Sequence, residues 1–327
     1  MSNIFNYFPH VSAACFIFIA GLSGANVANA AEYPSKPVRI IVPSVAGGGL
    51  DKLTRLVAQK LAERGGKPFV IDNRPGAGGA IGMDIAASAT PDGHTLIMFS
   101  GTHLASNTIP GRQSYDILKD FAPIAWITNQ PYVLNVHPAL PVKSVPDLIK
   151  LAKAKPNEIN FGSTGVGGIQ HLSGVTLGLL SGTKFFHVPY KGGAMVVNDL
   201  LGGQIHMSFT VYPVCKPHID SGRMRALAVT TAERAPALPN IPAIAETLPE
   251  YDINNWYGLV GAEKIPTSIL DWLHREISKS LQQPDVKRTL TADTIEVVTA
   301  SRQQFRKHLA DEVSKWSKVI RQSEVTN

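Results

Sequence analysis

Three stretches of the chain can hold an anion with main-chain atoms alone: VPSVAGGGLDK (42–52), NRPGAGGAIG (73–82) and FGSTGVGGIQHLSG (161–174). Each follows an apolar run and leads into a helical pattern. Glycine lets the backbone turn sharply and lets a ligand approach closely. The first turn of a helix leaves N–H groups unpaired and carries partial positive charge, which suits an anionic group. One such loop is ordinary turn chemistry. Three of them at strand ends would line a crevice at the carboxyl edge of a sheet.

The spacing argues against several specific chemistries. A phosphate loop needs G-x-x-x-x-G-K-[ST], which is absent. Gly76 and Gly78 begin a dinucleotide fingerprint that Ile81 breaks, and Gly165 and Gly167 begin another that Gln170 breaks. No serine sits in a G-x-S-x-G elbow. Ser163 and His171 resemble a nucleophile and base, but eight residues along a helix separates them by about 12 Å. The ten histidines form no H-x-x-x-H or Cys/His cluster, so no metal or other cofactor is expected.

The elements that must position these loops alternate. Apolar runs at 37–43, 68–73, 94–100, 132–138, 159–163, 185–191, 205–211, 225–231 and 254–263 read as strands. Helical patterns at 50–65, 78–89, 144–156, 168–182, 192–203, 266–283 and 301–322 lie between or after them. Ser301 and Gln304 form a capping box. The alternation predicts an α/β chain with mainly parallel sheets flanked by helices. Two lobes are expected, with no flexible tether. Lobe 1 would comprise 31–131 plus 249–327, lobe 2 would comprise 132–248, and the chain would cross near ITNQPYV and return near EYDINNW.

Composition fits this picture. The 327 residues are 44% hydrophobic and 17% charged, and the length suits about two domains. The net charge of +6 is spread without a basic stripe, which argues against nucleic acid. The first thirty residues hold no Lys, Arg, Asp or Glu, and Ala28-Asn29-Ala30 forms a small-x-small cleavage signal. A signal peptide over 1–30 is therefore expected, with a run shorter than the ~20 apolar residues of a membrane span. Of the two cysteines, Cys15 lies in that leader and Cys215 remains alone, so an exported chain must depend on its core rather than a disulfide.

Five blocks occur in a fixed order: YPSKPVRIIVP..AGGG.D, NRPGAGGAIG, ATPDGHTL, VPYKGG......DLLGGQI and RMRALAVTTAERAPALPNIPAIAE. Together they resemble the Bug, or TctC-like, family of periplasmic solute receptors serving tripartite tricarboxylate transporters. The resemblance runs from about Tyr33 to the C-terminal helix. It implies a two-lobed, type II-like periplasmic binding protein, not an enzyme, with its ligand in an interlobe cleft. It further implies a small carboxylate ligand gripped by backbone amides and hydroxyls, delivery to the large and small membrane components of a permease, and action as a monomer in the periplasm.

Carried over by position, Ser44, Val45, Gly47 and Gly48 would form one wall of the cleft. Ser163, Thr164, Gly165, Gly167, Gly168 and His171 would form the opposing helix N-terminus. Tyr190, Lys191 and Asp199 belong to the VPYKG block; Asp199 would orient Tyr190 or Lys191 or serve packing, and Lys191 reads equally as a surface lysine. Thr102 and Asn255 follow or begin strands and would contribute. Two departures stand out: Ser44 replaces a common Phe, and Gly168 with Ile169 replaces a more polar pair. They imply a roomier, less polar cleft and a bulkier or partly apolar acid, such as an aromatic acid. A receptor reporting to a sensor kinase is the alternative, and a periplasmic enzyme a more distant one.

Overall fold

The computed structural model describes residues 33–111 and 114–323; the expected leader and Cys15 lie outside them. The first region runs β1 (Val38–Val42), α1 (Gly49–Gly65), β2 (Phe69–Asn73), α2 (Ala80–Ala87), β3 (Thr95–Ser100) and α3 (Gly101–Asn107). The fully buried side chains of Val38, Ile40, Ile41 and Val42 show why the apolar run became a strand covered on both faces. Leu50, Leu53, Val57 and Leu61 bury the inner face of α1, and Gly66, left-handed at φ 63°, ends it.

β4 (Phe121–Val136) is the spine. It pairs antiparallel with β9 (Asn254–Ala262) from Phe121↔Ala262 to Pro131↔Asn254, then pairs with β7 (Met207–Val211) from Tyr132↔Val211 to Val136↔Met207. The sheet therefore changes partners between Pro131 and Tyr132. Beyond that point lie α4 (Val145–Ala154), β5 (Asn160–Ser163), α5 (Ile169–Ser181), β6 (Phe186–Pro189), α6 (Gly193–Leu201), α7 (Tyr212–Asp220) and β8 (Arg225–Val229). The chain finishes with α8 (Thr267–Leu281), α9 (Pro284–Ala292), β10 (Glu296–Val297) and α10 (Arg302–Gln322).

Strand order along the sheet is β2-β1-β3-β9-β4-β7-β5-β6, with β8 and β10 also paired to β4. The α/β class and the flanking helices match the sequence pattern. The parallel character holds in the outer strands β2-β1-β3 and β6-β5-β7. Around β4 the sheet is mixed, because β4 runs through both regions and meets β9, β7 and β8 antiparallel.

The first half of β4 was not apparent as a strand because Pro123 and Pro131 interrupt FAPIAWITNQP, and proline ordinarily demotes a strand. Register shifts between Pro123 and Ala125 and between Trp126 and Thr128 accommodate it. α7 was hidden by Pro213 and Pro217 and buries only Cys215, which is free. The capping box on α10 is present: Ser301 N–H donates to Gln304 Oε1 at 2.7 Å, and Gln304 N–H to Ser301 Oγ at 3.2 Å. Among the described residues no helix is long and apolar enough to cross a membrane.

Candidate functional site

The loops before α1 and α5 have the same backbone. Gly47 is left-handed at φ 84° and Gly48 caps α1 in an extended conformation; Gly167 is left-handed at φ 81° and Gly168 caps α5 likewise. Only glycine takes such positive φ without strain. Gly48 C=O accepts from Lys52 N–H and Gly168 C=O from Leu172 N–H, each at 3.0 Å.

In both loops the third helical residue reaches back to the glycine before the cap. Asp51 Oδ2 accepts from Gly47 N–H at 2.9 Å, and His171 Nδ1 accepts from Gly167 N–H at 3.0 Å. Asp51 is buried and also accepts from Arg55 Nε at 2.9 Å and from Asn73 Nδ2 at 3.0 Å. The bond from Arg55, with those from Gly47 and Asn73, outweighs burial and holds the carboxyl down to about 2. His171 is buried and stacks on His187 with ring centroids 3.8 Å apart. Burial pushes His171 down to about 3, with His187 adding, and pushes His187 down to about 4. Both imidazoles are therefore neutral. With Nδ1 accepting, the proton of His171 resides on Nε2.

Several donors expected to face a ligand are engaged within the second loop. Ser163 is fully buried; its hydroxyl lies 2.6 Å from His187 Nε2 and accepts from Gly165 N–H at 3.2 Å. Thr164 gives both its N–H, at 3.1 Å, and its hydroxyl, at 2.9 Å, to Gln170 Oε1. The amides of Gly165 and Gly167 are likewise bonded, so Ser163, Thr164, Gly165, Gly167 and His171 brace the loop. Gly168 and the first turn of α5 remain at its tip.

A chain of neighbours links the two tips. A methyl group on Gly49 would lie 3.3 Å from Tyr257 Oη, and one on Gly168 would lie 3.4 Å from Thr102 Cγ2. Asn255 Nδ2 donates to Tyr257 Oη at 3.2 Å. Tyr132 is buried beside Tyr257 and hydrogen-bonds Thr102; burial raises both phenols, so both hydroxyls stay protonated. The chain of neighbours thus runs from α1 through Tyr257, Tyr132 and Thr102 to α5. Ser44 Oγ is buried here without a hydrogen-bond partner, while Val45 is exposed. Below the first loop, the buried His103 ring contacts Pro43 C=O through Nε2 at 3.0 Å and accepts Ser100 N–H through Nδ1 at 3.2 Å.

The third block is more peripheral. Tyr190 Oη donates to Asp199 Oδ2 at 2.7 Å, and Lys191 is exposed. Burial and the Asp199 bond push the Tyr190 phenol up to about 12. A methyl on Gly193 would touch Thr164 Cγ2 at 4.0 Å, which places the start of α6 next to the second loop.

Sequence reasoning did not single out Asp51, Asn73, Tyr132, Gln170, His187 or Tyr257. Asp51 and His171 share the third helical position after a glycine cap, a spacing that was visible. Gln170 was noted only as the residue that breaks a nucleotide fingerprint.

The chain matches the model of the tripartite tricarboxylate transporter family receptor over residues 53–325. It is 34% identical to protein BugT of Bordetella pertussis over 310 residues, covering 94% of this chain and 95% of that protein. Among solved structures it is similar to R. palustris Rpa4515 with adipate, at 35% identity and TM-score 0.78, covering 88% of this chain and 97% of the other. It is also similar to MatC from Rhodopseudomonas palustris with bound malate, at 28% identity and TM-score 0.76, covering 88% and 100%.

Proposed function

The chain belongs to the tripartite tricarboxylate transporter receptor family, a family of solute-binding receptors rather than enzymes, and from that premise we propose how it captures a small organic carboxylate. The carboxylate seats on the first turn of α5, at Gly168 and the amides beyond it, facing Ser44, Thr102 and Asn255. The observation that carries this choice is the difference between the two loop ends. The N-terminus of α1 already holds the Asp51 carboxylate, which would repel a second anion. The N-terminus of α5 is capped by a neutral imidazole, so its partial positive charge is available.

The regions that meet at Pro131 and Tyr132 act as two lobes. The ligand binds the closed arrangement better and shifts the population toward it. Closure excludes water and strengthens the amide–carboxylate bonds. Tyr190, held by Asp199, and Lys191 flank the entrance on the second lobe. The exposed Val45 and Val166 suit an acid with an apolar body, aromatic or aliphatic. The closed receptor, exported to the periplasm and acting as a monomer, then delivers the acid to the large and small membrane components of a permease. Dicarboxylates in two related structures support the ligand class.

A calorimetric screen of the protein against carboxylates, with adipate as first probe, tests this. Binding of at least one acid, weakened by Ser44→Ala, is expected. If no acid in the library binds, or if a complex crystal places the carboxylate away from Gly168 and Ser44, the proposal fails.

A further inference from the structure

Glu312, in α10, is a buried carboxylate with no place in the site described above. Its Oε2 accepts from Trp256 Nε1 at 3.0 Å and from Trp316 Nε1 at 2.9 Å, and its Oε1 accepts from Lys315 Nζ at 2.9 Å. Burial pushes this carboxyl up, but Lys315 and the Trp256 bond outweigh it and hold the group ionised, below its ordinary value. An indole N–H can only donate. Both indoles are fully buried, so one oxygen satisfies two side chains that have no water to turn to. A neutral acceptor would serve them at a lower desolvation cost. What the charge adds is a stronger hold on each N–H.

Trp256 stands between Asn255 and Tyr257 on β9, and successive side chains of a strand point to opposite faces. Its indole reaches two helix starts at once. A methyl group on Gly101, the first residue of α3, would lie 2.8 Å from Trp256 Nε1 and 2.6 Å from Cδ1 of Ile169, the first residue of α5. The indole, α3 and α5 therefore meet where there is no room even for a Cβ. Thr102 adjoins Gly101, and Gly168 adjoins Ile169. Farther along α5, Tyr251 Oη donates to Ser173 C=O at 3.1 Å. The middle of α5 thus has its own anchor, and its first turn leans on Trp256.

We propose that Glu312 is a positioning residue for the carboxylate seat: from α10 it clamps the Trp256 indole as the wedge that spaces Gly101-Thr102 from Gly168-Ile169. The inference rests on the seat assigned above to the first turn of α5. The two helix starts come from opposite sides of the crossover at Pro131 and Tyr132, so the wedge sets the distance between the two walls of the cleft. Without the clamp the indole can turn, and both helix starts loosen. α1, packed on β2 and α8, is left as it was.

Hydrogen exchange of the full chain without ligand tests this role. Glu312→Leu removes the acceptor and should speed exchange of amides 104–107 in α3 and 172–176 in α5 by about tenfold, with α1 unchanged. Glu312→Gln keeps one oxygen for the indoles, while Lys315 can turn to water, and should stay near the parent. Trp256→Phe removes the N–H and keeps an aromatic ring; it carries the same expectation as Glu312→Leu, should that variant not fold. Adipate titrated into the variants should bind Glu312→Leu and Trp256→Phe about tenfold more weakly than the parent, a difference of about 1.4 kcal/mol, and Glu312→Gln nearly as well as the parent. Equal acceleration in α1, no acceleration at either helix start, a Glu312→Gln variant as loose as Glu312→Leu, or a parental adipate affinity in Glu312→Leu would each overturn the proposal. A parent that binds no adipate would count against adipate as the ligand of the seat, and the exchange pattern would still decide the role of Glu312.

Discussion

Gly47-Gly48-Gly49 and Gly167-Gly168-Ile169 trace the same turn into a helix, and in each the third helical side chain closes the turn from behind. In the first turn that side chain is the ionised Asp51, with Arg55 and Asn73 arranged around it. In the second it is His171, neutral and stacked on His187. The backbone is duplicated while the charge is not. A helix N-terminus that already holds a carboxylate is stabilised but less available to another, whereas one closed by an imidazole keeps its field for a ligand. Two similar loops can therefore divide the work, one organising the wall and the other taking the anion.

Making the second loop electrically like the first is the severest test. His171→Asp retains an acceptor for Gly167 N–H but adds a negative charge where the acid is proposed to sit. Adipate affinity, if adipate binds the parent protein, should fall by roughly a hundredfold, about 2.7 kcal/mol, in calorimetry. An unchanged affinity would remove the distinction between the loops.

Emptying the first loop should act mainly on stability. Asp51→Ala strips the acceptor from Gly47 N–H, Asn73 and Arg55 together. Urea unfolding should show a loss of roughly 2 kcal/mol, since Arg55 can turn to water while Gly47 and Asn73 lose a buried partner. Asp51→Asn, which keeps one acceptor oxygen, should lose less.

The gentlest test is acid. The folded value of His171 lies below its ordinary one, so the unfolded chain binds the extra proton first. Its contribution is full above about pH 6.5 and declines as pH falls toward about 3. His171→Gln keeps an acceptor without titrating, and should flatten the fall in stability by about 1.4 kcal/mol per pH unit in that window. Asp51 has the same sign in a lower window: its folded value is also lowered, so its contribution is full above about pH 4 and is lost as pH falls from about 4 through about 2. Chemical denaturation at several pH values separates the two.

Much of the architecture was legible in the chain. The β-branched runs at β1, β3 and β7, the amphipathic α1 and the capped α4 and α10 announced themselves, because local periodicity and caps are properties of neighbouring residues. β4 was legible only in its second half, since its prolines contradict a strand until a partner with matching bulges is in place. The glycine loops were visible as turns capable of holding an anion. What they do with their N–H groups was not: Ser163 was expected to donate to a ligand, yet it is bonded to His187 from the next strand.

The sequence by itself determined the α/β class, the helix caps and the placement of glycine where only glycine tolerates a left-handed turn. These follow from interactions within a few residues. Only the tertiary structure decided which donors are spent and which remain, because Asn73, His187, Thr102 and Tyr257 reach the loops from strands and helices distant in the chain. A hydrogen bond used internally is withdrawn from a ligand, and that balance is set by packing across the sheet rather than by any motif.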